Sequence, residues 1–156
     1  MKNFNVTVPV EVREYSELEP QDALLIDEAR RATDGAYAPY SDFFVGAALR
    51  MDDGTVVRGA NQENAAFSSG TCAERSAMFG AAANHPDRIF TDIAIAARKG
   101  DTFQRLPISP CGACRQALLE YENKQKKPIR VLLYGEEGVY ILPSVASLLP
   151  LCFTEF

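Results

Sequence analysis

Apolar positions change their period several times along the chain, and each change marks an element. Val6, Val8, Val10 and Val12 alternate with polar residues. Pro9 interrupts them, so this run predicts an edge strand or an ordered arm. From Gln21 to about Thr33, Leu25, Ala29 and Ala32 recur at helical spacing. The loop "DGAYAPYSD" follows. "FVGAALRM" and "VVRGAN" flank "DDGT", two short apolar runs around Asp-Gly that predict a hairpin. A second helix is predicted from Thr71 to about Asn84, with Ala77, Met78, Ala81 and Ala82 as its stripe. "FTDIAIAAR" reads as a buried strand. Ser109 and Pro110 predict the N-cap and first residue of a third helix, whose inner face carries Ala117, Leu118 and Tyr121. "IRVLLYG" and "VYILP" read as strands, and "SVASLLP" as a short final helix.

Helices interleaved with strands predict a layered α/β domain. Only "GEEG", Gly135 to Gly138, separates the last two strands. A parallel pair needs a crossover of a dozen or more residues, so this pair is predicted to be antiparallel. There is no internal repeat and no linker. The 156 residues fit one domain, read as residues 1–20, an N-terminal extension, and a core over 21–156.

Composition narrows the function classes. The chain is 47% hydrophobic and its apolar runs are too short to span a bilayer. The N-terminus lacks the apolar h-region of a secretion signal, so the expected location is the cytoplasm and the expected partners exclude membranes. The net charge of −5 disfavours nucleic acid. Lys124, Lys126 and Lys127, the one basic cluster, read as a solvated helix end. His85, the single histidine, precedes a proline at a helix end and reads as a loop residue.

The cysteines carry the chemistry. Cys111 and Cys114 are three apart in "SPCGACRQ", so on a helix both sulfurs face one ion. Both are predicted in a first turn, where free N–H groups and the helix dipole favour thiolates. Cys72 opens the preceding helix, and a helix–strand–helix unit can bring equivalent ends together. Three thiolates suit zinc. A redox pair is the alternative for Cys-x-x-Cys in a reducing compartment, and a small buried hydrophobe the alternative for Cys72. Cys152, in "LLPLCF", reads as such a hydrophobe. It is also the candidate fourth ligand if the zinc were structural and closed. Glu74 lies in "TCAE", which fits a capping box and equally a proton carrier beside a metal with an open position.

The motifs "CAE" (Cys72–Glu74) and "PCGAC" (Pro110–Cys114) resemble the signature of zinc deaminases. With "APYSDFFVGAAL" (Ala38–Leu49), "NQENAAF" (Asn61–Phe67) and "CAERSAMF", the chain from about Asp22 to Phe153 resembles the small three-cysteine cytidine deaminase family. The resemblance implies a three-layer α/β/α fold with a five-stranded mixed sheet. It implies hydrolysis of cytidine and 2′-deoxycytidine to uridine and 2′-deoxyuridine plus ammonia, in pyrimidine salvage. One Zn²⁺ per chain is implied on Cys72, Cys111 and Cys114, with Glu74 carrying protons between water, the ring nitrogen and the leaving ammonia. Asn61 and Glu63 resemble the pair that bonds the ribose hydroxyls. Phe43 and Ala73 are implied beside the base, and Phe153 across a subunit boundary, because the family's small members are homotetramers with shared sites.

Three thiolates on one Zn²⁺ leave a net charge of about −1, which opposes making a further anion. Arg75, and with it Arg115, are therefore expected to donate to the ligand sulfurs; a surface ion pair is the alternative for each. Asn61 and Glu63, two apart on an extended segment, point to one side and match vicinal hydroxyls. Within the deaminase superfamily that the chain resembles, antiparallel final strands go with enzymes of free nucleosides, and with the acidic charge this resemblance favours a free nucleoside over a base in nucleic acid. An antibiotic aminonucleoside is the near alternative. Asp42 and Phe44 depart from the commoner family pattern.

Overall fold

The structure, a computed structural model, describes residues 1–154. Its strands among these residues are β1 (Glu11–Arg13), β2 (Phe43–Met51), β3 (Val56–Ala60), β4 (Phe90–Lys99), β5 (Thr102–Phe103), β6 (Arg130–Gly135) and β7 (Gly138–Leu142). The helices are α1 (Pro20–Ala32), α2 (Ala73–Asn84) and α3 (Gly112–Gln125). The sheet runs β1-β7-β6-β4-β2-β3, with β5 paired to β4 off that path. The five expected strands are β2, β3, β4, β6 and β7. The short β1 and β5 add to them, β1 as an edge strand antiparallel to β7. Residues 1–10 carry no regular structure and are exposed.

β4 and β6 are parallel with α3 between them, and β6 and β7 are antiparallel, closing at Gly135 opposite Gly138. The "GEEG" connection is thus the tight turn its length demands.

Both faces of the sheet are buried, so side chains of the central strands divide by period two. Ile93, Ile95, Val131, Leu133, Ala47 and Leu49 face α2 and α3 in the larger core. Ala94, Ala96, Leu132 and Ala48 face α1 in the smaller one, with Leu25, Ile26 and Ala29. Each large side chain so buried stabilises the fold by about 1.5–3 kcal/mol. The helices press close on β2 and β3. A Cβ at Gly59 would lie 2.3 Å from Ala77 N, and one at Gly46 2.1 Å from Ala29 O. The Gly59 contact fixes the start of α2, which carries Ala73, Glu74 and Arg75, three of the candidate site residues.

The expected final helix is only a one-turn 3-10 helix, Val145–Leu148. The buried carboxylate of Glu122, on α3, holds it. Glu122 accepts from Ile129 N (2.8 Å), Val145 N (2.9 Å), Ala146 N (3.2 Å) and Ser144 Oγ (3.1 Å). At the opposite side of the sheet, Asp22 and Asp92, each 4% exposed, share Arg50 and Arg130 in one ion-pair network.

Candidate functional site

Two helix starts converge. Cys72 is the N-cap of α2 and Cys111 the N-cap of α3, both with extended backbone. Cys114 lies in the first turn of α3, and its N–H donates to Cys111 Sγ at 3.5 Å. A sulfur therefore occupies the place usually held by a Ser or Asp oxygen, receiving a free helical N–H and the positive end of the dipole. This corrects the expected start of α3. Ser109 and Pro110 precede the cap because Arg115 engages both, Nη2 to Ser109 Oγ (2.9 Å) and Nε to Pro110 O (2.8 Å).

The three Sγ atoms lie within 4.8 Å of one another, Cys72 to Cys111 at 3.8 Å. Tetrahedral Zn–S bonds of about 2.3 Å put neighbouring sulfurs about 3.8 Å apart, so the donor set fits zinc. Cys114 is buried, Cys72 half-buried and Cys111 exposed, so the cluster opens to one side. Hydrogen bonding to the Cys114 thiol, opposed by burial and reinforced by Arg75, pulls the Cys72 thiol down to about 5; the same bond pushes the Cys114 thiol up. Cys152 is exposed and outside the cluster, which corrects its reading as a buried hydrophobe and removes it as a fourth ligand.

Glu74 is 3% exposed at the second position of α2. The capping-box reading fails, because Cys72 rather than Thr71 is the N-cap. Burial pushes the Glu74 carboxyl above its ordinary range, and the negative charge on Cys72 adds to this. Arg75 Nη2 donates to Cys72 Sγ at 3.9 Å. Arg115 makes no such bond: beyond Ser109 and Pro110, its Nη1 donates to Leu148 O at 2.9 Å. It fastens the metal-bearing loop to the 3-10 turn, where the sequence suggests a sulfur donor.

Beside the cluster is a cleft of ≈ 360 Å³ lined by Tyr40, Asn61, Glu63, Phe67, Cys72 and Arg75 among others. Asn61 Oδ1 accepts from Val45 N (2.8 Å) and its Nδ2 donates to Phe43 O (2.9 Å). Glu63 Oε2 accepts from Tyr40 N (2.9 Å) and Ser41 N (3.3 Å), while Oε1 takes the Ser41 hydroxyl. That hydroxyl, then the Tyr40 N–H, holds the Glu63 carboxyl below the usual carboxylate range.

The chain thus brings Asn61, Glu63, Cys72 and Arg75 to one cleft, with Glu74 and Cys114 buried at the helix starts. Phe43 is half-buried and does not line the cleft. Ala73 is fully buried in the larger core, so its side chain packs rather than lines. Phe153 is 63% exposed, and Gln116 Nε2 donates to its carbonyl at 3.0 Å. Tyr40, Ser41 and Phe67 receive no role from the sequence, although all three lie in the family-like motifs. Tyr40 and Phe67 meet edge to face at 6.3 Å, forming an apolar wall that a polar loop sequence does not advertise.

Residues 19–127 match the family described as the cytidine and deoxycytidylate deaminase zinc-binding region. The chain is 46% identical over 131 residues to a cytidine deaminase of Halalkalibacterium halodurans, covering 84% of this chain and 92% of that one. A cytidine deaminase of Sporosarcina psychrophila is 44% identical over 131 residues, covering 84% and 90%. The crystal structure of cytidine deaminase from Burkholderia pseudomallei superposes with a TM-score of 0.70 at 42% identity, covering 83% of this chain and 97% of that one.

Proposed function

The chain belongs to the family of zinc-binding cytidine and deoxycytidylate deaminases, and we propose that its reaction is hydrolytic deamination of cytidine and 2′-deoxycytidine to uridine and 2′-deoxyuridine. The observation that carries this is the junction of three sulfurs at zinc spacing with a buried carboxyl two residues from one of them. The family binds zinc, and Cys72, Cys111 and Cys114 would hold it here. When bound, it supplies a Lewis acid that brings water's pKa toward neutrality. Water adds to the amino-bearing ring carbon and ammonia leaves. Glu74 moves the protons, from water to the ring nitrogen and then to the departing nitrogen. Its raised pKa suits a group that must both take and give a proton near neutral pH. Arg75 offsets thiolate charge at Cys72.

Asn61 and Glu63 bind the sugar. A carboxylate offers about four acceptor positions and an amide two N–H donors. After the backbone and Ser41 take their share, Glu63 keeps one lone pair on Oε1 and Asn61 one N–H. That matched set suffices for one hydroxyl, so the pair does not demand two neighbouring ones. This supports use of the deoxynucleoside as well. Phe43 and Ala73 act from behind the cleft rather than on its wall: the Phe43 carbonyl pins Asn61 Nδ2, and Ala73, buried in the core, backs the helix start that flanks the base. The exposed Phe153 serves a neighbouring subunit's cleft in a homotetramer.

The role fits pyrimidine salvage in the cytoplasm, in a single catalytic domain over residues 1–156 with 1–20 as an extension. No helix among the described residues is long and apolar enough to cross a membrane, and the described cysteines are unpaired, as a reducing compartment favours. The test is to follow cytidine conversion by absorbance with and without a zinc chelator. Turnover that stops with chelator and returns with zinc is expected; turnover indifferent to chelator overturns the reading. Values of kcat/KM for cytidine and 2′-deoxycytidine should agree within about tenfold, the scale expected when a substrate hydroxyl is removed and no buried group of the protein is left unpaired.

A further inference from the structure

The loop 37–43 clasps the segment 61–63 more completely than its surface position requires. Tyr37 N donates to Asn61 O (2.9 Å) and Glu63 N to Tyr37 O (2.8 Å). Asp42 closes the turn with φ 52°, the left-handed region, and donates its N–H to Ala38 O at 3.1 Å. A non-glycine residue held there marks a backbone constrained by its surroundings. What the turn achieves is visible at Ser41. Its hydroxyl donates to Glu63 Oε1 and accepts from Phe43 N–H at 3.1 Å. Its own N–H, with that of Tyr40, occupies Glu63 Oε2. Phe43 is in turn bonded through its carbonyl to Asn61 Nδ2 (2.9 Å).

We propose that Ser41 is a positioning residue for substrate binding: its hydroxyl fixes the rotation of the Glu63 carboxylate so that one Oε1 lone pair is left for a sugar hydroxyl. With both Oε2 positions filled by backbone N–H groups and one Oε1 position filled by Ser41, the carboxylate is preorganised. The same hydroxyl, by accepting from Phe43 N–H, keeps the start of β2 in register with the sugar-binding segment. Without it, Oε1 gains a second open position, the carboxylate turns about its last torsion, and Phe43 N–H loses its partner. The inference rests on the reading that Glu63 binds the sugar, and extends it to a residue that does not itself touch substrate.

Ser41→Ala separates this role from simple loop stability. Loss of one charge-assisted hydrogen bond should raise KM for cytidine on the order of tenfold, while kcat, zinc content and Tm stay near wild type. Ser41→Thr keeps a hydroxyl that can both donate to Glu63 and accept from Phe43 N–H, and should restore KM to within about threefold. The decisive comparison uses 2′,3′-dideoxycytidine, which lacks the 2′- and 3′-hydroxyls offered to Glu63 and keeps only the 5′-hydroxyl. On that substrate Ser41→Ala should match the wild type. An equal KM penalty on both nucleosides, or no penalty on cytidine, overturns the proposal and leaves Ser41 as a loop-stabilising residue. Glu63→Ala run beside it isolates the premise. If Glu63→Ala also fails to distinguish the two nucleosides, the sugar reading of Glu63 is what fails. If Glu63→Ala distinguishes them and Ser41→Ala does not, the proposal for Ser41 fails alone.

Discussion

Replacing Glu74 by Gln separates proton transfer from everything else this residue could contribute. The side chain is 3% exposed, and burial followed by the charge on Cys72 raises its pKa. The α2 cap belongs to Cys72, so no cap disappears with the carboxyl. A neutral amide is cheaper to bury than a carboxylate, so thermal stability should hold or rise slightly. The chemistry should not survive. General acid–base groups contribute about 10²–10⁴-fold, and this one serves two transfers, so kcat should fall by about 10⁴-fold or more, some 5 kcal/mol or more in barrier. The assay is kcat at saturating cytidine, with zinc content by metal analysis and Tm by calorimetry on the same preparation. A kcat within tenfold of wild type would refute the role. So would a large loss accompanied by released zinc or a collapsed Tm, since that would make Glu74 structural.

Other consequences are independent of that one. The Asp22 carboxyl is raised by burial but lowered more by Arg130 and then Arg50, so its net pKa lies below the ordinary value. Its contribution is therefore fully present above the unfolded pKa near 3.9 and lost as pH falls through the folded one. Asp22→Asn should cost about 2–3 kcal/mol in urea unfolding at pH 7, less than a fully dry pair because Arg130 is 37% exposed, and the gap should close below about pH 4; a gap independent of pH contradicts the ion-pair account. Gly59→Val would press a Cβ to 2.3 Å from Ala77 N and should lose about 3 kcal/mol or more together with zinc affinity, whereas an unchanged urea midpoint would mean α2 is free to move away. Cys152→Ala should keep one zinc per chain and full activity; loss of metal would indicate a closed, four-sulfur site.

Much of this is legible in the sequence because short-range patterns and long-range packing agree. The continuous apolar runs "IAIAA" and "VLLY" read as strands and are buried as such because both sheet faces are covered. The "GEEG" turn leaves the last strands only one relative direction. Three-residue spacing makes Cys111 and Cys114 legible as a pair, while Cys72, which local pattern alone leaves open as a buried hydrophobe, joins them through the resemblance of "CAE" and "PCGAC" to the zinc-deaminase signature. The features that escape a sequence reading depend on partners distant along the chain. Local signals put the α3 cap at Ser109, but Arg115 takes the Ser109 hydroxyl and the Pro110 carbonyl, and the cap passes to Cys111. "TCAE" matches a capping box in composition, yet Cys72 occupies the cap and Glu74 is buried. The start of the final single turn is fixed by Glu122, more than twenty residues earlier, which accepts the Val145 and Ala146 N–H groups. Ser41 cannot be singled out from sequence, since its partner Glu63 is 22 residues away.

Zinc K-edge absorption fine structure on the zinc-loaded protein bears most directly on the centre of this account. The cluster of Cys72, Cys111 and Cys114, with Cys152 outside it, predicts three sulfur neighbours at about 2.3 Å and one oxygen or nitrogen neighbour at about 2.0 Å. Four sulfurs at the longer distance would contradict it, because no position would remain for the water that the reaction consumes.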